Sequence, residues 1–242
     1  MIGQIGNFLR LQTEKRNRIK DAFVNAGKRI EPFANSMKQE LQISDDKFFI
    51  VGGFVRDTVV GDFLHTDIES KDYDVVLSKK IDFTNNPNVI WQKQNNFGGL
   101  KIATKNIPEI DIFDKYTDRP EYLIANFDFN CNMVWYSNED KSIVSSPLFE
   151  DFLMTQTIEP YRFDFFEGYQ RYKNEDMAAR ALKFYAKFNE YGMKLRFDGV
   201  LYDLFLNMDK RTEKAMFDYI NSKIKSDQMK KQMIDTYKKI RQ

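Results

Sequence analysis

Phe49-Ile50-Val51-Gly52-Gly53-Phe54-Val55-Arg56-Asp57 decides how the rest of the chain is read. An apolar run of strand composition enters two glycines and leaves into a helical pattern. Glycines at such a turn let backbone N–H groups approach an anion, and the helix N-terminus favours negative charge. Arg56, one turn into the helix, is placed for a charge-assisted contact with phosphate. A glycine pair closes many strands, so by itself the turn carries little weight.

Downstream lies Lys71-Asp72-Tyr73-Asp74-Val75-Val76-Leu77. Residues two apart in a strand face the same side, so Asp72 and Asp74 project together, with Tyr73 and Val75 opposite. Two carboxylates side by side repel unless a cation sits between them, and hard oxygen ligands suit Mg²⁺ or Mn²⁺. Ile110-Asp111-Ile112 supplies a third acid on another strand. If that strand pairs with the first, Asp72, Asp74 and Asp111 form one set. Such a set can hold two metals about 3.5–4 Å apart for in-line phosphoryl transfer. Asp67-Ile68-Glu69 is a competing acidic pair, but Ser70-Lys71 follows it, whereas three apolar residues follow Asp74 as a buried strand requires.

Composition excludes several other classes. The 242 residues suit a catalytic domain with a helical companion. With 37 basic and 36 acidic side chains, bulk attraction to nucleic acid is not implied. One cysteine, Cys131, rules out an intramolecular disulfide, and one histidine, His65, argues against a His pair or a catalytic triad. Cys131 reads as a small core residue in an apolar strand and His65 as a loop residue. No apolar run approaches the ~20 residues that span a bilayer, and the start lacks a signal-peptide pattern. The expectation is a soluble, cytoplasmic protein with no membrane partner.

Three regions follow from periodicity. Residues 1–44 read as a helical arm of one or two amphipathic helices broken near Pro32, with a basic polar face. Residues 45–146 read as a mixed α/β head. Its expected strands are 48–51, 73–77, 99–103, 110–113 and 131–136, and its expected helices 53–60 and 120–127. Residues 147–242 read as a helical neck and tail, with helices at 174–191, 198–208, 211–223 and 226–240. The aromatic cluster Tyr161, Phe163, Phe165, Phe166, Tyr169 and Tyr172 reads as core, with base stacking the alternative. The tail's basic residues offer a surface for RNA phosphates.

Gly52-Gly53-Phe54-Val55-Arg56-Asp57 followed by Lys71-Asp72-Tyr73-Asp74 resembles the signature of class II tRNA nucleotidyltransferases (CCA-adding enzymes) and bacterial poly(A) polymerases. Asp128-Phe129-Asn130-Cys131-Asn132-Met133 is similar to the family's RRDFTINA segment. Arg180-Ala181-Leu182-Lys183-Phe184-Tyr185-Ala186-Lys187 is similar to its R-x-x-RFAAR helix. The resemblance covers roughly 47–190, in the family's order. It implies an α+β fold: a polymerase-β-like nucleotidyltransferase head with a small mixed sheet, followed by a helical neck and tail. It implies magnesium on Asp72 and Asp74, the pair to which the strand pattern adds Asp111. It assigns the nucleotide to Gly52, Gly53, Arg56, Asp128 and Asn132, with Asp57 beside them, and base recognition to an acid and an arginine of the neck helix, for which Asp176 and Arg180, spaced i, i+4, and Lys183 are the candidates. Asn126 and Phe127 stand where the family has arginines, and Asn174 and Met177 where it has the acid and first arginine of its base-reading element.

The function expected from these motifs is template-independent transfer of a nucleoside monophosphate from ATP or CTP to an RNA 3′ end, that of tRNA in particular. Two alternatives stand beside it: the same chemistry on a protein or small-molecule acceptor, and a catalytically lapsed RNA- or protein-binding module.

Overall fold

A computed structural model describes residues 2–43, 46–70, 73–95, 98–107, 109–161 and 174–242, with side chains from Leu9 onward. Asp72 and all of the aromatic cluster except Tyr161 lie outside the described residues. The chain divides into two compact units. One comprises 1–126 with 131–154, and the other 127–130 with 155–242.

In the first unit, β1 (Phe48–Val51) is apolar throughout and buried at every position, as a strand covered on both faces must be. It runs into α2 (Gly53–Leu64) through Gly52. β2 (Tyr73–Leu77), β3 (Val89–Gln94), β4 (Leu100–Thr104), β5 (Ile110–Ile112), β6 (Val134–Ser137) and β7 (Ser142–Ser145) complete a sheet in the order β3-β4-β5-β2-β1-β6-β7. β2 and β5 are parallel, and the other pairs are antiparallel. A short helix, α3 (Glu121–Ile124), and a 3-10 turn at Asn130–Asn132 precede β6. α4 (Pro147–Thr155) follows β7.

α1 (Ile2–Leu41) is continuous through Pro32, where a break was expected. Pro32 and Lys28 are both on the exposed side, so water can take the Lys28 carbonyl that the missing proline N–H leaves. The opposite side buries Ile19, Ala22, Ala26, Ile30, Ala34, Met37 and Leu41 against α2 and β7. Those three- and four-residue steps are the stripe of one helix face. Phe33 of α1 stacks on Tyr73 of β2 with centroids 4.3 Å apart, and Phe54 of α2 meets the same ring edge-on at 4.8 Å. The two helices thus cover the sheet face that carries Tyr73.

Two other expectations need correction. Cys131 is fully buried, but in the 3-10 turn rather than a strand; β6 begins three residues later, at Val134. The helix expected over 120–127 is the single turn of α3.

The second unit is mostly helical, with α5 (Asn174–Glu190), α6 (Gly199–Leu206), α7 (Lys210–Lys223) and α8 (Asp227–Ile240). It also contains a two-stranded parallel ladder that composition alone did not reveal, β8 (Thr157–Ile158) with β9 (Arg196–Phe197). α5 buries Ala178, Leu182 and Phe188, while α6, α7 and α8 contribute Phe205, Met216, Ile220 and Met233. Asp198, Asp209 and Ser226 cap α6, α7 and α8, each accepting from a backbone N–H three residues on. Burial raises the Asp198 carboxyl pKa despite the backbone bonds it accepts, so the ionised cap is penalised at neutral pH. Asp198→Ala is expected to cost about 1 kcal/mol in denaturant unfolding. Asp198→Asn keeps the acceptor without the charge and is expected to be at least as stable as the parent. No helix among the described residues is long and apolar enough to cross a membrane.

Candidate active site

The glycine turn and the acidic strands meet at one end of the sheet in the first unit. Val51, the last residue of β1, pairs with Asp74, and Asp74 pairs with Asp111 on the parallel neighbour β5. Paired residues on adjacent strands share a face, so the two carboxylates stand side by side about 4.8 Å apart at the backbone. The same row continues outward from Asp111 to Lys101 on β4 and then to Lys93 on β3. Asp74 and Asp111 therefore occupy the face opposite Tyr73.

Gly52 sets the distance between the turn and the acids. It caps α2 with φ 72° and ψ −142°, a conformation that residues with a Cβ rarely adopt. A Cβ there would lie 2.3 Å from Asp74 Oδ2, so the carboxylate occupies the space that glycine leaves. At Gly53, the notional Cβ is 3.3 Å from Ser70 Oγ and 3.5 Å from Arg56 Nη2. A hydroxyl and a guanidinium nitrogen thus flank the start of the helix. The same guanidinium donates from Nε to Asp57 Oδ1 at 2.9 Å and from Nη1 to Asn132 Oδ1 at 2.6 Å. Arg56 and Asp57 are buried, which makes this network a rigid support for the turn.

Asp111 is held from both sides. Lys101 Nζ donates to Oδ2 at 2.8 Å, and Asn95 Nδ2 donates to Oδ1 at 3.3 Å. Lys101 also reaches Glu109 Oε2 at 3.1 Å. Its pKa is raised, chiefly by the hydrogen bond to Asp111, so it remains an ammonium. Asn95 is placed by the β3–β4 turn, where its N–H donates to the Gly99 carbonyl at 2.9 Å. Gly99 is required there, because a Cβ would lie 2.1 Å from the Ile112 carbonyl oxygen.

The remaining candidates are distributed as follows. Asn132 lies in the first unit with Arg56. Asp128 belongs to the second unit, where its nearly buried carboxylate pairs with Arg180 of α5. Arg180 also lies over the Phe184 ring, 5.8 Å from its centroid. Asp176 and Lys183 occupy the same α5 face as Arg180, at helical spacing. Arg180→Gln is expected to lower the stability of the second unit by about 1–3 kcal/mol, because it takes the guanidinium from a desolvated carboxylate. Adding Asp128→Asn should restore much of that in a double-mutant cycle read by denaturant unfolding. Asp67, of the competing acidic pair, lies in a loop with its side chain 93% exposed and paired to Arg29. His65 ends α2 in the left-handed conformation and is exposed.

Ser70, Asn95 and Lys101 were not singled out by the sequence. Lys101 had one usable signal, alternation that places it on the same strand face as Ala103. Its pairing with Asp111 depends on register.

No protein-family model and no curated protein matches the chain. Solved structures do. A CCA-adding enzyme in complex with ATP aligns over 86% of this chain and 51% of its own length, with a TM-score of 0.60 at 15% identity. The CCA-adding enzyme of Thermotoga maritima, complexed with tRNA, aligns over 86% and 51% with a TM-score of 0.58 at 16% identity. A tRNA-processing enzyme in its apo form aligns over 88% and 57%, with a TM-score of 0.59 at 19% identity.

The fold is that of the CCA-adding enzymes.

The chain spans about half the length of these structures. Within that span, the mixed sheet and helical region correspond to the nucleotidyltransferase head and the helices beyond it. In the CCA-adding fold seen here, the glycine turn, Asp74 and Asp111 converge on one sheet end, where hard oxygen donors suit a small divalent cation. Mg²⁺ is commonly held by one or two carboxylates together with water and substrate phosphates. Asp74 and Asp111, both partly exposed and adjacent, are the carboxylates that could hold such an ion. Among the described residues no group of three His, Cys, Asp or Glu side chains is disposed to hold a metal, and Asp72 lies outside them.

Proposed function

We propose that the protein transfers a nucleoside monophosphate from an NTP, ATP or CTP, to the 3′ end of an RNA, with tRNA the favoured acceptor. The observation that carries this reading is the contact of the Gly52 turn with Asp74, beside Asp111. A triphosphate and a divalent cation need that juxtaposition of N–H donors and carboxylates. The likeness to structures described as CCA-adding enzymes with ATP, with CTP and with tRNA supports the choice of substrates.

In this proposal Asp72, Asp74 and Asp111 hold Mg²⁺ or Mn²⁺. When bound, the metal supplies positive charge at the reacting phosphate and lowers the pKa of the attacking 3′ hydroxyl, in a two-metal arrangement. The backbone N–H groups of Gly52 and Gly53 receive phosphate oxygens at the positive end of α2. Arg56 adds charge at that turn while Asp57 and Asn132 fix its guanidinium. Ser70 offers a further hydroxyl at Gly53. Asp128 is assigned to the nucleotide by motif position, and Asp176, Arg180 and Lys183 to its base as charged neighbours on one face of α5. The head comprises 45–146, preceded by the 1–44 arm and followed by the 147–242 neck and tail, and the protein is cytoplasmic.

The acceptor is tested by incubating the protein with α-labelled ATP and CTP, Mg²⁺ and separate RNA, protein and small-molecule fractions. Label at RNA 3′ ends is expected. Label confined to a protein or small-molecule fraction would keep the chemistry and replace the acceptor. Nucleotide-independent RNA binding without any labelling would leave the binding-module reading.

A further inference from the structure

The sheet face that carries Asp74 and Asp111 continues across β4 to the edge strand β3. Trp91 pairs with Ala103 and Lys93 with Lys101, which puts Trp91 and Lys93 on that same face. Trp91 is partly exposed and Lys93 exposed, with Nζ over the indole, 5.0 Å from the ring centre. Trp91 is one row closer than Lys93 to the end at which β1 runs into Gly52. Two strand spacings and one row separate it from Asp111, roughly 12 Å at the backbone. An aromatic ring beside a cation suits single-stranded nucleic acid, the ring taking a base and the cation a phosphate.

In-line displacement puts the attacking hydroxyl opposite the leaving pyrophosphate. With the triphosphate at the Gly52 turn, on the β1 side of the acids, the hydroxyl comes from the β5 side. The strand that bears it then runs out over β4 and β3. We propose that Trp91 and Lys93 form the acceptor platform, where a base near the RNA 3′ end stacks on the indole while the ammonium meets a phosphate. This rests on the reading of an RNA 3′ end as acceptor and of the Gly52 turn as the triphosphate site. In the free protein Lys93 lies over the ring. Base stacking is the stronger contact, so a base displaces the exposed lysine, which swings to the adjoining phosphate. Every base has a π-face, so the platform holds the strand without selecting its sequence.

Titrating the full chain with a short unstructured oligoribonucleotide, free at its 3′ hydroxyl, tests this by tryptophan fluorescence and anisotropy. Trp135, the other tryptophan, is buried in β6, so quenching reports on Trp91. Quenching of the parent is expected. Trp91→Ala should bind about tenfold more weakly and raise KM for RNA to match, with KM for NTP unchanged. Trp91→Phe keeps a ring and should restore much of the affinity without the quenching. Lys93→Gln should weaken binding and reduce the slope of log affinity against log salt by roughly 0.7. Gln92→Ala, on the opposite face of β3, should match the parent. A folded Trp91→Ala protein with the parent's RNA affinity and KM would overturn the proposal. So would a rise in KM for NTP alone, which would give the ring to the incoming base. Quenching in a parent that transfers no nucleotide would keep the platform and overturn the transfer reading instead.

Discussion

Asp74→Asn is expected to lower nucleotidyl transfer by about 10³-fold or more while leaving the fold intact. The substitution keeps size and hydrogen-bonding capacity but removes the charge that faces the glycine turn and Asp111. Loss of a single preorganised electrostatic group costs enzymes about 10²–10³ in rate, and loss of a metal ligand acts on the cation as well. Asp74 lies at the half-exposed start of β2, whereas Val75, Val76 and Leu77 beyond it are buried. Stability should therefore change little. The check is a rate at saturating Mg²⁺ beside a melting curve. Retained activity in a folded Asp74→Asn protein would refute the metal assignment.

Gly52→Ala is the second large effect, and it acts without removing a charge. The added Cβ would meet Asp74 Oδ2 at 2.3 Å, far inside contact distance, and the residue would have to keep φ near 72°. Backbone strain of this kind costs about 1–3 kcal/mol. Displacing the carboxylate by even ~1 Å is expected to cost about 10²-fold in rate. Gly192 provides the control. It also has positive φ, 79°, but a Cβ there meets nothing within 4 Å. Gly192→Ala should show the strain in its melting temperature and leave transfer unchanged. Equal losses of activity in the two variants would show that the Gly52 effect is strain alone.

Much of the fold was legible because burial writes itself into apolar periodicity. β1 reads as a strand since all four of its residues are apolar, and α5 reads as a helix since its buried residues recur at three and four. β3 escaped because it is an edge strand whose side chains are largely exposed, so Val89-Ile90-Trp91-Gln92-Lys93-Gln94 carries no clean alternation. β7 escaped for the same reason, being only half-buried throughout. Pro32 misled because the buried stripe on either side of it, from Ile19 to Leu41, holds the helix together, while the freed carbonyl faces water. β8 and β9 have two residues each, too few for any period.

The candidate site divides along the same line. The glycine turn and the acids are local signals, visible wherever they lie. Their convergence needed β5 to pair with β2 in register, a long-range fact that no local pattern encodes. Lys101, Asn95 and Ser70 belong to that second kind, since each acts through a neighbour distant in sequence. Asn126, where an arginine was expected, instead bonds the Tyr122 carbonyl at the end of the α3 turn.

NTP binding by thermal shift, with and without Mg²⁺, should be compared between the parent and Asp74→Asn. A metal-dependent triphosphate site predicts that ATP or CTP with Mg²⁺ raises the melting temperature of the parent by several degrees. That corresponds to about 2.7 kcal/mol at a hundredfold excess over Kd. The rise should vanish without Mg²⁺ and in Asp74→Asn. No shift of the parent with any NTP and Mg²⁺, or an equal shift in Asp74→Asn, would contradict the assignment of nucleotide and metal to this sheet end.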